Sequence, residues 1–198
     1  MHPVHSPALF PRWYSVGAAL VAVMLWSSAP LLAEFAKATP PLQLTAVTLL
    51  AGSLATLPLS RRVNVAASGV GWQLSVWVGI PLLIFGAVST YFIGMRLAPA
   101  AEAALITYTW PVLFVLLSRF GRLRIAGVVG ALIAFSGAAL LLVPQAISGG
   151  LGGATTGYAL ALLAACCWAI YSWLSQAAPV ALTPLLPRLL LIACAIAV

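Results

Sequence analysis

Residues 157–171 read G-Y-A-L-A-L-L-A-A-C-C-W-A-I-Y, and residues 17–29 read G-A-A-L-V-A-V-M-L-W-S-S-A. Aligning Trp168 with Trp26 makes the two stretches weak copies of one another, 142 residues apart. Both are apolar runs with no charge. The chain has 198 residues, of which 64% are hydrophobic and 6% charged. A water-facing globule carries roughly 25% charged residues, so too little polar surface exists here to cover one, and a soluble enzyme is excluded. The 16 Gly and 14 Pro follow no period, and the hydrophobicity is too high for a disordered or collagen-like chain. The composition requires a polytopic membrane protein.

A helix needs about 20 residues to cross the hydrocarbon core. Runs of that order extend over residues 15–35, 42–59, 70–95, 99–118, 125–147 and 157–176, and a seventh begins at Pro184 and reaches Val198. They are continuous rather than alternating, which excludes a β-barrel. The first is too long for a signal-peptide core and is followed by six more, so its cleavage is not expected. The fold expected is therefore all-α with about seven helices.

The charges fix an orientation. With the N-terminus cytoplasmic, Arg12, Arg61, Arg62, Arg119, Arg122, Arg124 and Arg188 lie inside, against Lys37 and Arg96 outside. The net charge of +7 is thus topological. The basic residues form no face or stripe, and no nucleic-acid partner is expected. The partners implied are the lipid bilayer and a small molecule.

Five runs lie between the starts of the two copies. An odd number of helices inserts the second copy upside down, an architecture found in transporters with a substrate site at the midplane. The organisation expected is a cytoplasmic leader over 1–14, a first five-helix repeat over 15–147, an extracytoplasmic Gly-rich linker over 148–156, and the start of a second repeat over 157–198. The same offset carries the end of the first repeat to about position 289, so the chain reads as truncated in its second copy.

Few residues offer chemistry. The chain contains no Asp, its only histidines are His2 and His5 in the leader, and neither H-E-x-x-H nor G-x-S-x-G occurs. Cys166, Cys167 and Cys194 lie in apolar runs without metal-ligand spacing and read as small apolar fillers. No enzyme, cofactor or metal is expected. The Gly149–Gly153 stretch follows no strand and has no Lys, so it reads as a linker and not a phosphate loop. Small residues at Gly127, Ala131, Ala134 and Ala138 form a close-packing stripe on the fifth helix. Gly79, Gly86, Gly94 and Pro81 on the third serve either bending or packing.

Aromatic residues favour the membrane interfaces, and Trp13 and Trp72 fit that belt. Trp26, Trp110 and Trp168 instead lie near the middle of their runs, where an indole N–H needs protein or a cavity. Pro30 and Pro111 mark the same depth, freeing the carbonyls of Trp26 and Thr107. These prolines either kink helices beside a cavity or are packing kinks satisfied by hydroxyls. Around Pro111 the fourth helix reads Thr107-Tyr108-Thr109-Trp110-Pro111. On a regular helix Tyr108 and Trp110 lie about 200° apart, so either Pro111 unwinds this turn or one of the aromatics is a packing residue. Glu102, one turn into the same helix, is either an intramembrane carboxylate suited to proton coupling or a first-turn residue favoured by the helix dipole and able to pair with Arg96. Glu34 beside Lys37 reads as interfacial.

These features resemble the drug/metabolite transporter superfamily, whose members carry two EamA-type repeats, and within it the bacterial aromatic amino acid exporters. The resemblance rests on Leu25-Trp26-Ser27, on Glu102 followed by Tyr108-x-Trp110-Pro111, and on Tyr158 with Trp168-Ala169-x-Tyr171. It implies a substrate cavity lined by Trp26, Tyr108, Trp110 and Trp168, with Tyr91 and Tyr171 as further candidates. The activity it implies is export of aromatic amino acids and related metabolites across the cell inner membrane by alternating access. The alternative is a non-transporting membrane fragment or helical subunit, in which the aromatics are inherited packing.

Overall fold

The computed structural model describes residues 12–65, 69–118 and 154–198, together with seven helical positions between 129 and 140. Most of the fifth run, including the Gly127, Ala131, Ala134 and Ala138 stripe, lies outside the described residues, as do His2, His5, Arg119, Arg122, Arg124 and most of the Gly-rich linker. The described residues are helices and their connections, without strands.

Helix α1 spans Arg12–Phe35 and α2 Pro41–Thr56, the latter extended by a 3-10 turn over Leu57–Leu59. Helix α3 covers Val70–Leu74 and passes through a π turn, Ser75–Gly79, into α4, Ile80–Leu97. Next come α5, Ala100–Thr107, and α6, Trp110–Ser118. Helix α7 spans Thr155–Ala177, and after a 3-10 turn at Thr183–Leu185 α8 covers Leu186–Ala197. Four of the described helical segments, Pro41–Leu59, Val70–Leu97, Ala100–Ser118 and Thr155–Ala177, are long and apolar enough to cross a membrane. The apolar stretches Leu20–Phe35 and Thr183–Ala197 are shorter. The fold is all-α and polytopic.

Proline sets several boundaries. Pro41 and Pro187 each sit in the first turn of their helix, where a missing N–H costs nothing. Pro81 lies inside the continuous span Val70–Leu97, and the π turn ending two residues before it makes one wide turn that accommodates its ring. Gly69, at φ 85°, supplies the left-handed residue that opens α3.

The chain divides into two units, one ending at Ala36 and one spanning Lys37–Val198. In the first, α1 runs through Pro30 without interruption. The hydroxyls of Ser27 and Ser28 donate to the carbonyls of Met24 and Leu25, at 3.0 and 2.8 Å.

In the second unit two antiparallel helix pairs carry the packing. Helices α2 and α8 are tied by Ser53 Oγ donating to the Pro187 carbonyl at 2.7 Å, and by Cys194 Sγ on the Ala46 carbonyl at 3.3 Å. Leu49, Val76, Ile80, Ile84, Leu185 and Leu189 form the apolar cluster beside them. Helices α4 and α7 meet through small residues. A Cβ on Gly94 would lie 3.0 Å from the Gly157 carbonyl oxygen, and one on Gly86 would lie 3.2 Å from Cys167 Sγ. These two glycines therefore serve close packing, whereas Gly79 faces open space. The cysteines are free, Cys167 filling the gap over Gly86 and Cys194 lying in the core.

Candidate functional site: a broken helix lined by aromatic side chains

The fourth apolar run, residues 99–118, forms two helices, α5 and α6. Pro111 has no N–H to return to the Thr107 carbonyl, and its ring crowds that carbonyl on a continuous helix. The chain resolves the conflict by leaving the helix at Tyr108, whose ψ is 1°. Thr109 then closes a turn, donating to the Ile106 carbonyl from both its N–H, at 3.1 Å, and its hydroxyl, at 2.7 Å. The Thr109 carbonyl receives the N–H groups of Val112 and Leu113, at 3.0 and 3.2 Å, and so starts α6. Pro111 becomes the second residue of a new helix, a position it favours. Of the two possibilities open from the sequence, the turn unwinds.

Thr107 anchors the break. Buried at 1% exposure, it shares its one hydroxyl proton between the Ala103 carbonyl of its own helix at 3.0 Å and the Ala161 carbonyl of α7 at 3.2 Å. Helices α4, α5 and α6 all pack on α7, so the break is held against that helix.

The break places Tyr108 beside Tyr91 of α4, and the two phenols interact. The Tyr91 hydroxyl is buried without a well-formed hydrogen bond among the described residues. A buried phenol in that state is a polar group available to a ligand. Trp110 follows at the start of α6, half-buried. On α7, Trp168 and Tyr171 make an edge-to-face pair with ring centroids 5.7 Å apart and an interplanar angle of 71°. Tyr171 also packs against the apolar cluster of α2, α4 and α8, and it lines a cavity of about 410 Å³ at the α7–α8 connection with Ser175, Pro179 and Thr183. Trp26 lies in the middle of α1, in the other unit.

Glu102 is buried, 6% exposed, and its carboxylate accepts a hydrogen bond from the Tyr158 hydroxyl in the first turn of α7. The pairing with Arg96 that the sequence allowed is not the contact it makes. The Arg96 guanidinium donates to the carbonyls of Lys37 and, at 2.6 Å, of Thr39. Sequence reasoning missed Tyr158 as the partner of Glu102, because 56 residues and most of two helices separate them.

Among the described residues, no charged side chain accompanies the aromatic rings of this site. The site offers ring faces and edges, phenolic hydroxyls and backbone carbonyls at a helix break, groups suited to holding a flat apolar solute with a few polar atoms.

The sequence matches the EamA-like transporter family over residues 13–143, about two thirds of the chain. It is 39% identical over 163 residues to the aromatic amino acid exporter YddG of Ancylobacter novellus, an alignment that covers 78% of this chain and 55% of that one. A solved crystal structure, described only as that of a protein, superimposes with a TM-score of 0.66 at 34% identity, over 89% of this chain and 63% of the other. The chain thus spans about half the length of the curated relative it matches. The broken fourth helix, the all-α membrane fold and these similarities converge: the chain belongs to the EamA-like transporter family.

Proposed function

We propose that this protein exports aromatic amino acids and related small metabolites across the cell inner membrane by alternating access. The observation that carries the reading is the break at Tyr108–Thr109, a discontinuous helix that brings Tyr108 to Tyr91 and leaves Trp110 at the start of the next segment. Discontinuous helices are where membrane transporters of inverted-repeat design bind substrate, since the unwound backbone supplies polar groups that a continuous helix keeps to itself. Trp168 and Tyr171 of α7 complete the aromatic set in this reading. An aromatic pair contributes about 0.5–1.5 kcal/mol beyond burial, which biases such a site toward aromatic solutes. The described basic residues, Arg12, Lys37, Arg61, Arg62, Arg96 and Arg188, sit at helix ends or in connections, which disfavours a phosphorylated substrate. The relative's activity as an aromatic amino acid exporter agrees.

The repeat organisation, with a first copy over 15–147, a linker over 148–156 and a second copy from 157, belongs to the same proposal. The 142-residue offset carries α2 onto residues 183–198, which hold α8. That α2 and α8 pack antiparallel is what two inverted copies of one helix would do. The excess of basic residues in the connections assigned to the inside supports a cytoplasmic N-terminus.

Efflux of labelled Phe or Tyr from cells expressing the chain tests the proposal. Trp110→Ala is expected to cut the initial rate about tenfold; an unchanged rate removes Trp110 from the site. Efflux indistinguishable from cells lacking the protein would favour the non-transporting helical subunit.

A further inference from the structure

The contact between Glu102 and Tyr158 is not part of the aromatic site, yet it joins α5, which ends at the break, to α7, which carries Trp168 and Tyr171. It also sits in an unusually tight corner. A Cβ on Gly157, the neighbour of Tyr158, would come within 2.6 Å of Ala98 Cβ and 2.7 Å of the Ala98 nitrogen. The first turn of α7 is therefore seated directly on the backbone of the α4–α5 connection. Thr107, further along α5, donates to Ala161 of the same helix. Since α4, α5 and α6 all pack on α7, separating α7 from this corner would carry Trp168 and Tyr171 away from the side that holds Tyr91 and Tyr108.

We infer that Glu102 and Tyr158 form a protonation-sensitive latch, which holds α7 against the α4–α5 corner and must open when the walls of the site move. The inference rests on the transport reading for its purpose but not for its test. A phenol donating to an ionised carboxylate makes a charge-assisted bond, about twice as strong as one between neutral groups, so protonating Glu102 weakens the latch without removing a side chain. Among the described residues, the other ionisable groups on the helices packed against α5 are Arg96 and Tyr91 of α4 and Cys166, Cys167 and Tyr171 of α7. Arg96 is engaged with the carbonyls of Lys37 and Thr39. Glu102 is thus the acidic group of this corner.

Cys167 is a native reporter, because its sulfur lies against Gly86 across the α4–α7 interface. Its rate of alkylation by N-ethylmaleimide in the purified chain, followed by peptide mass spectrometry, measures how often α7 leaves α4. Tyr158→Phe is expected to raise that rate about tenfold, and Glu102→Gln, whose amide oxygen still accepts from the phenol, only a few-fold. Adding Glu102→Ala to Tyr158→Phe should produce no further increase, since both remove one contact. Cys194, at the α2–α8 contact, should keep its wild-type rate. The ratio of the wild-type rate to the Glu102→Gln rate, which cancels the intrinsic ionisation of the thiol, should rise toward one from mildly alkaline to acidic buffer. A Tyr158→Phe rate within about twofold of wild type, multiplicative effects in the double variant, or a parallel rise at Cys194 would overturn the latch, and a ratio flat with pH would overturn its sensitivity to protons. Labelling that behaves as expected in a chain without efflux would count against the transport reading alone.

Discussion

Pro30 and Pro111 make the same covalent demand on their helices and receive different answers. Each removes the N–H that would bond the carbonyl four residues earlier, and each has hydroxyls nearby. Around Pro30 the described hydroxyl bonds stay inside α1, where Ser27 and Ser28 donate to Met24 and Leu25, and the helix continues to Phe35. Around Pro111 the Thr107 hydroxyl reaches outside its helix to Ala161 of α7, Thr109 closes a separate turn, and the helix ends and restarts. A proline makes a break possible, and an outside partner that fixes the flanking turn makes it the stable arrangement.

The comparison can be attacked most forcefully through α7. Gly157→Ala would drive a methyl into Ala98, including its backbone nitrogen, and push α7 off the corner against which the break is held. A loss of about 1–3 kcal/mol in unfolding free energy is expected, together with faster hydrogen exchange at the amides of Thr109 and Val112; an unchanged stability would mean that α7 does not hold the break. Thr107→Val keeps the shape and deletes the hydroxyl shared with Ala161, for an expected loss of about 1 kcal/mol in the same measurement. The smallest effect belongs to the other proline. Ser28→Ala removes a bond that stays within α1 and should change stability by less than about 0.5 kcal/mol. A Ser28 effect as large as that of Thr107 would erase the distinction.

Much of the fold was legible in residue order because the bilayer demands long apolar helices, and their ends follow proline and charge. The run ending at Phe35 closes where its helix does. The site was half legible. The angular conflict between Tyr108 and Trp110 announced that the turn before Pro111 either unwinds or wastes an aromatic, but helical geometry could not choose. The choice depends on Thr107 finding Ala161, a contact between different helices, and nothing within one run reports which other run is its neighbour. Glu102 shows the same limit. Its depth was readable, but its partner was sought nearby at Arg96 and found on α7 at Tyr158. Tyr171 shows it as well, since a residue beside Trp168 in sequence reaches both that ring and the apolar cluster of α2, α4 and α8.

The central claim is that the break between α5 and α6, with the phenols gathered there, is where an aromatic solute binds. Equilibrium binding of radiolabelled tryptophan to the purified chain, comparing wild type with Tyr108→Ala and with Trp72→Ala as a control in the short helix α3, tests it directly. The account predicts an affinity at least about tenfold weaker for Tyr108→Ala and unchanged for Trp72→Ala. Equal binding by wild type and Tyr108→Ala would contradict it.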